Sequence, residues 1–197
     1  MTKARFNPEI HDRRSIRLRG YDYTHPGIYF VTICTKDRKC LFGEIRNGQM
    51  QLNGAGVMVK STWDEISTHY PNIRTDTFIV MLNHIHGIMI IVGATPCGCP
   101  LLEVGQTSGQ PLPTSGQPQG VAPTGLSLSD GVHRFKTMTT RRYVDGVKRN
   151  QWPPFPGKLW QRNYYEHIVR DWVDLHRIRR YILNNPIQWE LDALHPS

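Results

Sequence analysis

Long apolar runs are missing from this 197-residue chain, and no stretch approaches the ~20 consecutive apolar residues that span a bilayer. The opening Met1-Thr2-Lys3-Ala4-Arg5-Phe6-Asn7-Pro8 has no apolar core of the kind a secretory leader needs, so a cytoplasmic protein without a membrane partner is expected. Cysteine is sparse. Cys34, Cys40, Cys97 and Cys99 form no CxxC pair, which argues against a disulfide framework and for reduced thiols. The one residue between Cys97 and Cys99 is a poor spacing for a closed zinc site. Acidic residues are also in deficit, at 16 against 24 Lys plus Arg. The net charge of +8 points to a polyanionic partner, nucleic acid first, and hence to a nucleoid-associated location. The chain is too short for a barrel of eight βα units and suits one well-filled domain.

What is present reads as an alternation of strands and helices. Arg13, Arg14, Arg17 and Arg19, interleaved with apolar and aromatic residues up to Tyr23, form a basic arm that either contacts phosphates and stacks on bases or is a solvated tail. Ile28-Tyr29-Phe30-Val31-Thr32-Ile33-Cys34 is β-branched and aromatic, as a central strand requires. Asn47-Gly48 marks a tight hairpin. Val59, Trp63, Ile66 and Tyr70 recur at helical spacing and Pro71 stops that helix. Two apolar strands follow, over 74–82 and 84–92, close enough to be antiparallel neighbours.

From Thr95 to Leu126 the sequence turns to Pro, Gly, Ser and Gln, with Thr-Ser-Gly-Gln-Pro at 107–111 and again at 114–118. Such a segment cannot pack a core and is expected as a mobile insertion. Ser127 and Asp130 suggest a capping box, and Val132, Phe135 and Met138 a second helical stripe running towards Val147. Its other faces carry Arg134, Lys136, Arg141 and Arg142, which line a phosphate track or solvate the helix. A short strand is expected within 159–170. A last helix follows, with Leu175, Ile178 and Ile182 buried, Tyr181 on the edge of that stripe, and Pro186 ending it. This order predicts an α+β ferredoxin-like sandwich: an antiparallel sheet with helices on one face.

His84-Ile85-His86 is the most informative triplet. On a strand the two imidazoles leave the same face, within surroundings too apolar to hold polar rings without a purpose. Two imidazoles make an incomplete metal site, and Asn185, one helical turn beyond Tyr181, offers an amide oxygen as third ligand. A hard cation there, Mg²⁺ or Mn²⁺, would polarise a phosphate, and Tyr181 could serve as nucleophile if its phenol, normally ionising near pH ~10, were assisted.

Four stretches together resemble the single-tyrosine HUH transposases, and particularly the REP-associated tyrosine transposase branch. They are Arg14-Ser15-Ile16-Arg17-Leu18-Arg19-Gly20-Tyr21-Asp22-Tyr23, Asn83-His84-Ile85-His86, Leu159-Trp160-Gln161-Arg162-Asn163-Tyr164-Tyr165-Glu166-His167, and Tyr181-Ile182-Leu183-Asn184-Asn185-Pro186. The resemblance implies one HUH endonuclease domain over residues 26–190, interrupted by the insertion, with a basic arm at 1–25 and a tail at 191–197. It implies cutting and rejoining of single-stranded or hairpin DNA through a 5′-phosphotyrosine on Tyr181, with His84 and His86 as the metal pair. Asn185 stands where many relatives carry glutamine, and His167 matches a recurrent position without an assigned role. Monomer and homodimer are both compatible with it.

Two other readings stay open at this level. A non-catalytic ferredoxin-like module could bind single strands on exposed sheet aromatics, with the histidines as core residues. A zinc hydrolase would need a third tight ligand, and no His or Asp follows closely after His86.

Overall fold

The structure is a computed structural model that describes Tyr23, residues 25–92 and residues 126–195. Arg13, Arg14, Arg17 and Arg19, together with Cys97, Cys99 and nearly all of the 95–126 insertion, lie outside the described residues.

Strand β1 (Gly27–Cys34) is followed by a hairpin of β2 (Gly43–Arg46) and β3 (Gln49–Leu52), helix α1 (Gly54–His69), β4 (Ile73–Val80), β5 (His84–Ile91), α2 (Leu128–Asn150), β6 (Tyr165–Val169) and α3 (Trp172–Asn184). A 3₁₀ segment, Asn185–Leu191, closes the order. The main sheet is fully antiparallel, ordered β4-β5-β1-β6. Without the hairpin and α3 this is the split βαββαβ arrangement of a ferredoxin-like sandwich.

Local chemistry accounts for the elements. Asn47 and Gly48 both have positive φ, 51° and 70°, so the hairpin turns in the primed sense that matches strand twist. Asn53 caps α1 by accepting from the Gly56 amide, and α1 ends before Pro71. The Ser127–Asp130 capping box forms, and α2 continues to Asn150, where Gln151 closes it in the left-handed region. Val132 and Phe135 are buried as the pattern requires, but Thr139 and not Met138 continues the buried stripe.

Alternation on the strands sorts residues between two layers. Tyr29, Val31, Ile33, Ile85, Met89 and Ile91 face α1 and α2 in the larger core. Phe30 and Ile88 face the other way, with Leu175, Ile178 and Ile182 of α3. The sandwich of α1, α2 and sheet is therefore as expected, and α3 adds a cover on the opposite face. Its stripe needed an apolar partner, and the far side of β1 and β5 supplies one.

Gly87 shows how closely the larger core is packed. An added Cβ would lie 2.5 Å from Trp63 and 2.9 Å from Phe78, whose rings stack at 4.4 Å between centroids. Trp63 is 1% exposed and has nowhere to move. Gly87→Ala is expected to lower unfolding free energy by about 1–3 kcal/mol, the usual penalty of overpacking, as read from urea denaturation. An unchanged midpoint would show that this contact is softer than its geometry.

Candidate metal and strand-cleavage site

The face of β5 that carries His84 and His86 is the face covered by α3. In the sheet, His86 pairs with Thr32 of β1, and Thr32 with Tyr165 of β6, so the three form a row across neighbouring strands. His86 Nδ1 lies 2.8 Å from Thr32 Oγ1, and its ring stacks on Phe30 at 5.4 Å. His84 Nδ1 lies 2.8 Å from Asn83 Oδ1, and its ring stacks on Trp189 of the 3₁₀ segment at 5.9 Å. The two Nε2 atoms face each other at 3.0 Å.

Both imidazoles are almost fully buried, at 0% and 2% exposure. Burial pushes His84 down to about 4, against the upward pull of the Asp192 carboxylate and the Asn185 amide. Burial also pushes His86 well down, helped by the proximity of His84. At neutral pH both rings are uncharged, the state in which imidazole binds a metal.

Asp192 completes the cluster. Ligand atoms of His84, His86 and Asp192 all lie within 4.8 Å of one another. Asn185 links the group to α3: its Nδ2 donates to Asp192 Oδ2 at 3.2 Å, while its buried Oδ1 accepts no hydrogen bond. A buried amide oxygen left over beside two neutral imidazoles and a carboxylate is what a hard cation would satisfy, so these residues fit a divalent metal.

Tyr181 projects from α3 into the same place. Its hydroxyl is 3.4 Å from His86 Nε2, too long for a strong hydrogen bond, and its ring meets Phe30 edge-on at 5.9 Å. The residue is 43% exposed, so an incoming chain can reach it. Burial of its inner part and the charge on Asp192 raise the phenol above its ordinary value, with Asn185 pulling the other way. Tyr181 is protonated at neutral pH until something stabilises its phenolate.

The helix that carries Tyr181 is tied to the sheet by Arg179, whose guanidinium binds the Asp76 carboxylate of β4 through Nε at 3.0 Å and through Nη2. Burial pushes Asp76 up, but the bonds from Arg179 and Thr77 outweigh it and hold the carboxyl below its ordinary range. A carboxyl lowered on folding contributes stability above its unfolded value, near ~3.9, and loses it as pH falls through the folded value. Asp76→Asn is therefore expected to cost about 1–2 kcal/mol at pH 7, discounted for the partly exposed arginine, and almost nothing near pH 2. Thermal melts at the two pH values check it; an equal loss at both would mean that the charge is not what matters.

The expected DNA-contacting cations of α2 lie behind the other face of the sheet. Arg142 bonds to Glu65 and Thr62 and braces α1 against α2. Lys136 donates to the carbonyls of Gln161, Arg162 and Asn163, and burial lowers it to about 8. Arg134 covers the Tyr70 ring at 4.2 Å, and Arg141 is exposed. None of the four is brought to the histidine pair. Exposed Arg177 and Arg180, on the helix of Tyr181, were not singled out by the charge pattern; Arg177 pairs with Asp174 one turn before it at 2.6 Å.

Sequence reasoning also missed Asp192, which falls in the segment expected to be a tail. Nothing in its surroundings marks it, beyond its position seven residues after Asn185. His167 of β6 binds Asp174 of α3 at 2.7 Å, a link that helps seat this helix.

No family model matches the chain. A protein of Haemophilus influenzae, described as uncharacterized, is 42% identical over 194 residues, covering 98% of each chain. The two belong to one family. Among solved structures, a REP-associated tyrosine transposase bound to a REP hairpin is similar over 89% of this chain and 74% of its own, with 17% identity and a TM-score of 0.49. A candidate transposase from Deinococcus radiodurans is similar over 86% of this chain and 97% of its own, with 18% identity and a TM-score of 0.42. At such scores the chemistry of this family has to be read from the site itself. Among the described residues, no helix is long and apolar enough to cross a membrane.

Proposed function

We propose that this chain is a transposase-like, metal-dependent endonuclease and strand transferase of single-stranded DNA, of the single-tyrosine HUH kind. The observation that carries the reading is the meeting of an accessible phenol with a buried ligand cluster: the Tyr181 hydroxyl stands 3.4 Å from His86 Nε2, where His84, Asp192 and Asn185 converge. A structural histidine pair has no use for a carboxylate and an unpaired amide oxygen beside it, or for a half-exposed tyrosine above it.

His84, His86 and Asp192, with Asn185 Oδ1, would hold the ion. An amide oxygen and a carboxylate beside two imidazoles are donors that suit a hard divalent cation, Mg²⁺ or Mn²⁺. Such a cation, when bound, supplies charge stabilisation to the scissile phosphate and favours the phenolate.

The chain's own residues then do the following. Tyr181 Oη attacks phosphorus, and its proton leaves to solvent or base. The P–O3′ bond breaks, and its electron pair stays on the 3′ oxygen, which takes up a proton. One ester replaces another, so the 5′-phosphotyrosine keeps the energy needed to rejoin the strand. Phe30 and the Arg179–Asp76 pair hold the phenol in place, while Arg177 and Arg180 are exposed on the same helix and would add phosphate contacts. Arg13, Arg14, Arg17 and Arg19 of the arm, with Arg134, Lys136, Arg141 and Arg142, would add phosphate affinity away from the reaction.

The non-catalytic reading has less support. It needs an open sheet, and here α1 and α2 cover one face and α3 the other. The test is incubation of the protein with Mn²⁺ and a single-stranded hairpin oligonucleotide labelled at its 3′ end. A labelled protein band should persist on a denaturing gel; binding without any such band on substrates of varied sequence would leave a nucleic-acid-binding module instead.

A further inference from the structure

Asn83 is 1% exposed and lies in the tight connection between β4 and β5, immediately before His84. Its Nδ2 donates to two main-chain carbonyls, Arg38 O at 3.2 Å and Leu194 O at 2.8 Å. Carbonyl oxygens only accept, so the amide cannot be turned round, and Oδ1 is the atom that faces His84 Nδ1. An amide oxygen only accepts as well. His84 Nδ1 must therefore carry the proton, and its Nε2 the lone pair.

The same side chain holds the end of the fold. Leu194, 111 residues further along, is docked by the Asn83 bond, and Arg38 Nη1 donates to Ala193 O at 3.0 Å beside it. Within this docked segment the Leu194 amide donates to Asp192 Oδ1 at 2.7 Å, which orients the carboxylate. Asn185 Nδ2 holds the other oxygen. One buried amide thus touches both halves of the ligand set: the strand with the imidazoles and the segment with the acid.

His86 has no such constraint. Thr32 Oγ1 can donate to or accept from its Nδ1, so His86 can turn either an Nε2–H or an Nε2 lone pair towards His84. Only the lone pair suits a shared ion. His84 is locked in advance, and His86 adapts through a hydroxyl.

We propose that Asn83 is a positioning residue of the metal centre, which locks His84 as the Nδ1–H tautomer and docks the C-terminal segment so that Asp192 joins the two imidazoles. This rests on the metal-dependent reading above. It makes Asp192 an extra ligand whose delivery depends on a residue next to the first histidine.

Nitrogen NMR of ¹⁵N-histidine in the metal-free full-length protein reads the tautomer, and electron paramagnetic resonance of free Mn²⁺ reads affinity without any cleavage. The wild-type protein is expected to show His84 as Nδ1–H and to bind Mn²⁺. Asn83→Ala should mix the tautomers and weaken Mn²⁺ binding by about 10–100-fold, as loss of a ligand's orienting partner generally does. Asn83→Asp keeps an acceptor for Nδ1 but sets a carboxylate oxygen against two carbonyls. It should keep the tautomer, lose the docking and still weaken Mn²⁺ binding.

Combining Asn83→Ala with Asp192→Asn should weaken binding by less than the product of the two single effects, because part of the Asn83 effect acts through Asp192. Fully multiplicative losses, or an Nε2–H tautomer in the wild-type protein, would overturn the inference while leaving the function intact. The second of these needs no variant, so it decides even if Asn83→Ala fails to fold. A folded wild-type protein that binds no Mn²⁺ would overturn the functional reading and this inference with it.

Discussion

Tyr181→Phe should abolish the covalent protein–DNA adduct and reduce strand cleavage by at least ~10³-fold, because phenylalanine keeps the ring and removes the only atom that bonds to phosphorus. The substitution is mild for the fold. The phenol's 3.4 Å contact to His86 is too long for a strong hydrogen bond, and the ring packing on Phe30 is retained. Thermal stability should hardly change, so loss of the adduct can be read as chemistry. Because the intermediate is a 5′-phosphotyrosine, a label at the 3′ end of the oligonucleotide stays with the protein and one at the 5′ end does not.

The competing tyrosines sharpen this expectation. Tyr164 packs against the core on the α1–α2 side, with Lys136 Nζ 5.5 Å from its ring centroid, so it points away from the histidines. Tyr165 is on the correct face and is 54% exposed. It stands two strands from His86, at ~4.8 Å per strand, which places its backbone about 10 Å from that of the histidine. Persistence of the adduct in Tyr181→Phe, with its loss in Tyr165→Phe, would transfer the nucleophile to β6 and refute the assignment made from α3.

The second large effect concerns the metal ligands. His84→Ala, or treatment with a chelator, should lower cleavage by ~10³-fold or more, while retention of the same oligonucleotide on a native gel changes by no more than a few-fold. The separation follows from where the terms arise: transition-state charge is stabilised at the buried cluster, whereas affinity for a polyanion comes from many exposed cations. Readdition of Mn²⁺ should restore cutting to the chelated wild-type protein and not to the variant. Equal loss of binding and cleavage in a folded His84→Ala protein would show that the histidines organise the DNA surface and not a reaction. Cleavage that survives chelation would remove the metal from the mechanism.

Much of this site was legible in the chain, and the reasons are local. A strand projects alternate side chains to one face, so His84 and His86 had to be neighbours on a common side once the β-branched run around them was read as a strand. Helical geometry likewise placed Tyr181 at the edge of the Leu175, Ile178 and Ile182 stripe, and it is half-exposed there. Asn47-Gly48 dictated its turn, and Ser127 with Asp130 dictated the start of α2. Each of these depends on contacts within a few residues, where covalent geometry leaves few choices.

Tertiary structure decided what spacing could not express. Charge pattern alone could not say where Arg134, Lys136 and Arg142 stand relative to the histidines; packing sets them across the sheet, where the Glu65 carboxylate, main-chain carbonyls and the Tyr70 ring engage them. Asp192 resembled a tail residue because its two imidazole partners lie about a hundred positions earlier, and bonds from Asn83, Arg38 and Asn185 to its segment hold it beside them. The sequence by itself determined the strand, the paired imidazoles and the tyrosine's place on its helix, since periodicity is a property of the local backbone. Which face α3 covers, which cations lie on the histidine side of the sheet and which acid joins the histidines were settled by apolar burial and buried hydrogen bonds between distant segments, and those exist only in the folded chain.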